Sequence, residues 1–318
     1  NLNDPRKLTG MYTDEEIKDM SDEEYRNNLY SLWTNYCVSE SYEPGSTFKP
    51  VTVASALEEG VVKDGDTYVC KGFETVADYK LKCHVFSTIG SHGSLTVEQA
   101  LMNSCNPYMI HLALEMGNSR FAYYQSLFGF GKITGIDLPG ETTGIVYGDR
   151  MTTIDAACNS FGQTINVNMM QMMAAYCSII NGGMLYQPHI VKRIESANGE
   201  VVKEYKANLV RQTITASTSL SDEEIDKMVK EEPAKKAGVT GYSVAGKTGT
   251  AQKGDRKDNK WIISFIGHAP AENPKFAIYV VIDEPYGTTG TSGSSADVLT
   301  LTHNILEKLL PYMNVYKD

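Results

Sequence analysis

The last third of the chain contains three strand-like runs separated only by short loops, and this spacing restricts the fold more than any other feature. The runs cover residues 242–252, 260–268 and 276–283. Because a parallel crossover needs roughly a dozen residues or more, connections this short predict an antiparallel meander. An amphipathic pattern over 295–312 predicts a helix that closes the chain against this sheet.

Helical patterns occupy much of the rest of the chain. Two short surface helices are indicated by capping boxes at 13–16 and 21–24, each with a hydroxyl residue followed three positions later by Glu. Further helices are predicted over 46–59, over 95–116 with a break at 104–107, over 164–181 and over 221–236. A hairpin is predicted over 189–206, with its turn at 196–199. Helices followed by an antiparallel sheet and a terminal helix predict an α+β fold.

Composition excludes several classes of protein. The 318 residues carry a formal net charge of -10, so the chain is a poor candidate for binding nucleic acid, whose phosphates need clustered Lys and Arg. No apolar run approaches the roughly 18 residues that span a bilayer. Because the chain begins Asn1-Leu2 without Met or a signal-like segment, we expect it to be part of a longer protein. Six cysteines are too few for a disulfide-built scaffold.

The strongest chemical signal is Ser46-Thr47-Phe48-Lys49. Residues three apart share one face of a helix, so the Lys49 amine is expected to reach the Ser46 hydroxyl. A serine becomes a useful nucleophile when a base removes its proton, and a desolvated neutral lysine is able to do so. By itself a Ser-x-x-Lys pattern is weak evidence, since it also occurs at ordinary helix starts.

A second candidate segment is Ser104-Cys105-Asn106, which lies where the 95–116 helix is interrupted. A serine hydroxyl can relay a proton to a leaving group, and an asparagine amide can both donate to and accept from a peptide. A similar Ser-x-Asn pattern at 196–198 falls in the predicted hairpin turn, where turn formation explains it.

The third candidate segment is Lys247-Thr248-Gly249-Thr250, on the first strand of the predicted meander. A lysine and two hydroxyls beside a glycine form a cationic edge that can dock an extended peptide and bind a carboxylate. The run from Gly241 to Thr248 also has the spacing of a phosphate-binding loop. Such a loop lies between a strand and a helix, whereas this segment continues as a strand, so a nucleoside triphosphatase (NTPase) is disfavoured.

Together, in this order, the three segments resemble the active-site motifs of serine β-lactamases and penicillin-binding proteins. The chain resembles most closely the transpeptidase domains of class B penicillin-binding proteins, over nearly its whole length. The matching segments are 42–49, which contains Glu-Pro-Gly-Ser-Thr-Phe-Lys, Gly162-Gln163, and 244–252, which contains Gly-Lys-Thr-Gly-Thr-Ala-Gln. The resemblance implies a single catalytic domain over 1–318 of the penicillin-binding transpeptidase/β-lactamase-like class, with a helical subdomain.

The resemblance also implies a D,D-transpeptidase that joins peptidoglycan stem peptides and is acylated by β-lactam antibiotics. Ser46 would attack the donor peptide, Lys49 would be the base, and Ser104 the proton relay. Asn106 would contact the substrate amide, and Lys247 would lower the pKa of the Ser104 relay or steer the carboxylate. The remaining residues of the strand, Thr248, Gly249 and Thr250, would bind that carboxylate. The backbone N–H groups of Ser46 and Thr250 would hold the oxyanion. No cofactor is required for this chemistry.

Two other functions stay open on these residues. A serine β-lactamase of class A would add a Glu-x-x-Leu-Asn segment for deacylation, and the chain has no such segment. A β-lactam sensor or an inactive homologue would have the same fold, and turnover of a stem peptide would separate it from an enzyme.

A candidate zinc site is formed by Cys70, Asp78, Cys83 and His84. Two thiolates, an imidazole and one oxygen donor suit tetrahedral zinc. Cysteine pairs are frequent at this place in the family, whereas His84 departs from its usual pattern. His92 is interpreted as structural and Cys105 as a packing residue. A Cys70–Cys83 disulfide and two free thiols are the alternatives.

The resemblance further implies an N-terminal membrane helix, absent from this chain, that anchors the domain on the outer face of the cytoplasmic membrane. A glycan-polymerising membrane protein and the division, elongation or sporulation proteins are the implied partners. No nucleic acid is expected among them.

Overall fold

The computed structural model describes residues 12–219, 234–254, 260–285 and 294–316. The α-helices in this part of the chain are α1 (Asp14–Asp19), α2 (Asp22–Trp33), α3 (Tyr36–Ser39), α4 (Lys49–Glu59), α5 (Val97–Met102), α6 (Asn106–Met116), α7 (Asn118–Leu127), α8 (Thr153–Asn159), α9 (Met169–Ile180) and α10 (Ala296–Tyr312). Short 3₁₀-helices cover Gly45–Phe48, His84–Ser87, Gly148–Arg150 and Ala234–Ala237. The strands are β1 (Thr67–Cys70), β2 (Phe73–Val76), β3 (Tyr79–Lys82), β4 (Gly93–Thr96), β5 (Met184–Gln187), β6 (Arg193–Glu195), β7 (Val201–Glu204), β8 (Asn208–Gln212), β9 (Ala245–Lys253), β10 (Lys260–Ala269) and β11 (Phe276–Asp283).

The predicted meander is confirmed as a three-stranded antiparallel sheet in the order β11-β10-β9. Lys247 of β9 is opposite Ile266 of β10, and β10 pairs with β11 along its other edge. Strand β9 begins at Ala245, three residues later than predicted, because Tyr242 donates its N–H to the Val239 carbonyl in a turn. The strand that contains Lys247, β9, therefore lies at one edge of this sheet.

The sheet is buried on both faces. On one face Ile263 and Phe265 of β10 pack with Val298 and Leu299 of α10. Ile262 and Ile266 point the other way, since side chains alternate along a strand, and they belong to the main apolar cluster of the helical body. This arrangement confirms an α+β fold in which the sheet lies between the terminal helix and the helical subdomain.

Helix α4 lies at the centre of the helical body and contacts α5, α6, α7 and α9. The predicted helix over 46–59 is present, except that its first turn is the 3₁₀-helix Gly45–Phe48. Pro50 occupies the first turn of α4, where its missing N–H costs no helical hydrogen bond, and Gly60 ends the helix with φ 72°. Residues 49–56 are all buried, so the helix that carries Lys49 is held on every side.

Other predicted elements are confirmed with small differences. Both capping boxes form, the break between α5 and α6 lies where it was predicted, and β6 and β7 form the hairpin. The predicted helix over 221–236 lies almost entirely outside the described residues. Six short strands were not predicted: β1, β2, β3 and β4, and the paired strands β5 and β8. No helix among the described residues is both long and apolar enough to cross a membrane.

Leu306→Ala is expected to lower the free energy of unfolding by about 2–5 kcal/mol. Leu306 is 0% exposed on the inner face of α10, in a cluster with Ala269 and Leu310, so its truncation leaves a cavity. Leu301 on the same helix is 41% exposed and provides the matched control, Leu301→Ala. Urea unfolding of both variants measures the difference. Equal losses would show that α10 does not contribute to the cooperative core.

Candidate active site

Ser46 lies in the tight 3₁₀ turn before α4, and neighbouring backbone holds this turn in place. Gly45 adopts φ +59° and donates its N–H to the Gly162 carbonyl at 2.9 Å. A Cβ atom at Gly45 would lie 2.6 Å from the carbonyl oxygen of Thr250, so only glycine allows β9 to approach this closely. The nucleophile segment is therefore wedged between β9 and the loop that follows α8.

Lys49 is connected to Ser46 through Ser104. Its Nζ donates to Ser104 Oγ at 2.9 Å and to the Ser104 carbonyl at 2.6 Å. The Ser104 hydroxyl in turn donates to Ser46 Oγ at 3.0 Å. We expected Lys49 to reach Ser46 directly, one helical turn away. The 3₁₀ geometry of that turn and the intervening Ser104 replace the direct contact with a two-step path for the proton.

Asn106 completes this group, since its Oδ1 accepts from Lys49 Nζ at 2.7 Å. Ser104 adopts φ +51°, a conformation that costs a non-glycine residue about 1–2 kcal/mol. That conformation turns the chain between α5 and α6, and it brings the hydroxyl of Ser104 and the amide of Asn106 to the same ammonium group. The break in the helical pattern is thus a feature of the site.

Burial sets the protonation of both lysines. Burial, reinforced by the nearby charge of Lys247, holds the pKa of Lys49 well below its ordinary value. Burial alone lowers the pKa of Lys247 to about 8. Lys49, which is 0% exposed, therefore loses its proton far more easily than a surface lysine. Once neutral, it can accept the Ser46 proton through Ser104.

Strand β9 forms the opposite wall of the cleft. Lys247, Thr248 and Thr250 line a cavity of about 560 Å³ together with Ser46, Ser104 and Asn106. Gly249 is buried against the nucleophile segment, where an added Cβ would lie 2.9 Å from the Pro44 carbonyl. Its role in this structure is close packing that positions the two threonines. All three candidate segments thus meet in one cleft.

Several residues of the cleft were not singled out from the sequence as site residues. Phe161, Gln163 and Trp261 line the same cavity. Gln163 belongs to the Gly162-Gln163 segment that resembles the family. No spacing rule predicts these positions, because they come from a loop after α8 and from the middle strand of the sheet.

Four side chains of types that can ligate a metal lie together beside this cleft. The ligand atoms of Cys70, Cys83, His92 and Cys105 all lie within 4.8 Å of one another. His92 Nδ1 is 3.5 Å from Cys83 Sγ and 3.8 Å from Cys70 Sγ. Bond lengths of 2.0–2.3 Å around tetrahedral zinc place neighbouring donors about 3.5–3.8 Å apart, so the group fits zinc. Hydrogen bonding to Cys105 lowers the pKa of the Cys83 thiol.

This group differs from the predicted ligand set in two of its members. Asp78 is exposed in the turn between β2 and β3 and lies outside the group, so its choice as fourth donor was wrong. His84 Nδ1 approaches Cys83 Sγ at 3.8 Å, yet His84 is not a member of the group either. His92 joins because the pairing of Cys70 with Gly93 brings β4 against β1. All six cysteines are free, so the Cys70–Cys83 disulfide is not formed.

The fold and these motifs match one protein family. A family model described as the penicillin binding protein transpeptidase domain matches residues 12–307. The chain belongs to this family. Stage V sporulation protein D of Bacillus subtilis (strain 168) is 39% identical over 288 residues, which cover 88% of this chain and 44% of that protein. Peptidoglycan D,D-transpeptidase FtsI of Escherichia coli (strain K12) is 32% identical over 290 residues, which cover 89% of this chain and 46% of that protein.

Solved structures of the family share the architecture of this penicillin-binding transpeptidase domain. Penicillin binding protein 3 of Mycobacterium tuberculosis, complexed with ampicillin, superposes with a TM-score of 0.78 at 28% identity, covering 89% of this chain and 65% of that chain. The D,D-transpeptidase domain of a peptidoglycan glycosyltransferase from Eggerthella lenta superposes with a TM-score of 0.79 at 25% identity. The match covers 92% of this chain and 71% of that chain. The chain spans less than half the length of stage V sporulation protein D and of FtsI.

Proposed function

We propose that the chain is the catalytic domain of a peptidoglycan D,D-transpeptidase that forms its acyl-enzyme on Ser46. The observation that carries this proposal is the hydrogen-bonded path from Ser46 Oγ through Ser104 Oγ to the buried Lys49 amine. A serine that loses its proton along such a path can attack a carbonyl carbon and release the terminal D-alanine of a stem peptide. A second peptide's amine then resolves the ester.

The facing strand supports the same reaction. Lys247, Thr248 and Thr250 supply positive charge and hydroxyl donors for the carboxylate of the D-alanyl terminus or of a β-lactam. The Thr250 backbone lies against Gly45, one residue before Ser46, so the N–H groups of Ser46 and Thr250 are suited to hold the oxyanion. Asn106 keeps its side chain at the Lys49 end of the cleft, where it can meet the peptide amide.

Intact mass after incubation with benzylpenicillin tests the proposal. We expect a long-lived adduct of one penicilloyl group on the chain and none on Ser46→Ala. Rapid hydrolysis of the drug without an adduct would indicate a β-lactamase instead. Unreacted drug would indicate a site that is not competent. Turnover of a stem pentapeptide then separates a transpeptidase from a β-lactam sensor, because only the enzyme releases D-alanine repeatedly.

The acylation rate is expected to fall as the pH rises through about 8. Lys247 is charged below its pKa and neutral above it, so the attraction for the substrate carboxylate is present at lower pH and lost as the pH rises. Arginine stays charged throughout this range, so in Lys247→Arg the acylation rate should no longer fall at alkaline pH. Stopped-flow acylation by benzylpenicillin between pH 6 and 10 measures the rate of both chains. If the rate of Lys247→Arg still falls at alkaline pH, another group causes the fall.

We also propose a structural zinc ion held by Cys70, Cys83, His92 and Cys105. The donor separations support it, and Cys105 lies between Ser104 and Asn106 in the chain, so a bound metal would brace the active-site turn. The ion would take no part in the acyl transfer.

Metal analysis of the purified chain tests this site. We expect close to one zinc per chain, a large loss of bound zinc in His92→Ala, and no loss in Asp78→Asn, which keeps the exposed turn intact. A chelator should lower the Tm of the parent chain but not that of His92→Ala. A chain purified without zinc and unaffected by added zinc would overturn the proposal.

For the whole protein, we propose a location on the outer face of the cytoplasmic membrane, anchored by a helix outside this chain. A glycan-polymerising membrane protein and the division or sporulation proteins are the proposed partners. The similarity to stage V sporulation protein D supports the inclusion of sporulation proteins among these partners. Protease accessibility of the full-length protein in intact protoplasts would test the location.

A further inference from the structure

A short loop after α8, residues 160–164, packs directly against the turn that carries Ser46. We call it the α8 loop. The Gly45 N–H donates to the Gly162 carbonyl at 2.9 Å, and a Cβ atom at Gly162 would clash with the Gly45 carbonyl oxygen. Gln163 of this loop lines the cavity that contains Ser46. The backbone of the α8 loop therefore limits where the nucleophile turn can lie.

The α8 loop has a strained backbone. Thr164 is exposed and adopts φ +60°, a left-handed conformation that is an outlier for a β-branched residue. Gly162, two residues earlier, adopts φ +79°. A strained conformation persists only when the surrounding structure holds it, and such residues concentrate at functional sites. The α8 loop therefore needs a restraint from outside its own backbone.

Asn159, the last residue of α8, supplies this restraint. Its Nδ2 donates to the Gln163 carbonyl at 3.1 Å and to Thr164 Oγ1 at 2.9 Å. Its Oδ1 accepts from Gln125 Nε2 of α7 at 3.2 Å. Because a carbonyl oxygen can only accept, the Nδ2 group has to face the loop, which fixes the orientation of the amide. Asn159 is 0% exposed, and both N–H groups of its side chain bind the α8 loop.

Two further hydrogen bonds join the α8 loop to the elements of the catalytic site. Thr52, one turn after Lys49 on α4, donates its hydroxyl to the Ser160 carbonyl at 2.8 Å. The Thr164 N–H donates at 2.8 Å to Oε1 of Glu43, in the segment just before the nucleophile turn. The loop thus contacts both the nucleophile turn and the helix of the base. A shift of the loop would move one relative to the other.

We propose that Asn159 is a positioning residue for acylation, which holds the α8 loop so that Ser46 Oγ stays within reach of Ser104 Oγ. The proposal rests on the acyl-enzyme function proposed above. In acylation Ser46 Oγ bonds to the carbonyl carbon and the C–N bond of the substrate breaks. The proton of Ser46 passes through Ser104 and Lys49 to the departing nitrogen. Asn159 does not line the cleft, so it acts only through the 3.0 Å hydrogen bond between the two serines.

The test is stopped-flow acylation by benzylpenicillin over a range of concentrations. It separates the half-saturating concentration from the limiting first-order rate constant. Asn159→Ala should lower the rate constant about 10- to 100-fold, because small displacements of a reacting atom cost up to about 10²-fold. The half-saturating concentration should change little. A partly unfolded chain would lower only the amplitude, so a merely structural role of Asn159 leaves the rate constant at the parent value.

Thr164→Gly provides a rescue experiment. Glycine adopts a positive φ without steric cost, so a loop with this substitution depends less on its restraint. Thr164→Gly alone should acylate at a rate close to that of the parent chain. The double variant Asn159→Ala, Thr164→Gly should regain most of the rate constant that Asn159→Ala loses. This non-additivity measures the coupling between the two residues.

Two other variants locate the effect. Asn168 is also 0% exposed, and its Nδ2 donates to the Thr142 carbonyl at 2.7 Å, outside the cleft. Asn168→Ala therefore removes an equally buried amide and should keep the parent rate constant. Gln163→Ala removes a side chain that lines the cleft but keeps the carbonyl that Asn159 binds. It should change the half-saturating concentration, and not the rate constant.

Thr164→Val keeps the proposal testable where Asn159→Ala does not fold. This exposed position tolerates the change, which keeps the β-branched shape and removes one of the two bonds from Asn159. The rate constant should again fall, by a smaller factor than in Asn159→Ala.

The proposal is overturned when Asn159→Ala and Thr164→Val both keep the parent rate constant, or when Asn168→Ala lowers it equally. Failure of Thr164→Gly to rescue, or a full loss of rate in Gln163→Ala, would also overturn it. A parent chain that forms no penicilloyl adduct would instead refute the proposed acyl-enzyme function, so the two failures are distinguishable.

Discussion

Lys49→Met is expected to slow acylation of Ser46 by benzylpenicillin about 10²- to 10⁴-fold, the range typical for removal of a general base. Lys49 is fully buried, and its Nζ contacts both Ser104 and Asn106. Methionine has similar length and no ionisable group, so it fills the space but cannot accept the Ser46 proton. The rate of penicilloyl-adduct formation, followed by mass, measures the effect.

The structure also predicts what Lys49→Met does to stability. The Ser104 carbonyl and Asn106 Oδ1 lose their donor, which costs about 1–3 kcal/mol for each acceptor left buried and unpaired. Removing the need to bury an amine offsets part of this cost. Lys63→Met, at an exposed position after α4, is the control. An acylation rate in Lys49→Met close to that of the parent chain would show that another group is the base.

Ser104→Ala is expected to slow acylation at least about 10²-fold, because it removes the oxygen that connects Ser46 to Lys49. Lys49 keeps its bonds to the residue 104 carbonyl and to Asn106, so it stays in place without a path to the nucleophile. The same stopped-flow measurement as for the pH dependence applies.

Ser104→Gly separates the chemical role of this residue from its conformational one. Both variants lack the hydroxyl and should be equally slow. Residue 104 has φ +51°, so glycine should make the folded chain more stable than alanine by about 1–2 kcal/mol. Thermal unfolding of the two variants measures that difference. If the two variants acylate at clearly different rates, the backbone, and not the hydroxyl, limits the reaction.

The parts of the fold that were predicted correctly are those with local causes. Short loops require β9, β10 and β11 to be antiparallel, hydroxyl and Glu spacing starts α1 and α2, and apolar periodicity places α10. The boundaries changed where tertiary contacts intervened. The 3₁₀ turn that carries Ser46 is an example, since it is shaped by the approach of Thr250 to Gly45.

The proposed metal site shows the opposite case. The predicted ligands Cys70, Asp78, Cys83 and His84 are close together along the chain. The structure replaces Asp78 and His84 with donors that come from other elements: His92 through the pairing of β1 with β4, and Cys105 through the turn before α6. Ligand sets of this kind depend on distances between elements, and a short strand pair gives little signal in sequence.

The sequence by itself determined the family, the α+β plan and the three segments that carry the chemistry, because each depends on residue types at short, fixed spacing. Only the tertiary structure decided that Ser104 stands between Ser46 and Lys49 and that burial lowers the pKa of both Lys49 and Lys247. The physical reason is that proton paths and desolvation arise from side chains on different elements. Their separation is set by how those elements pack.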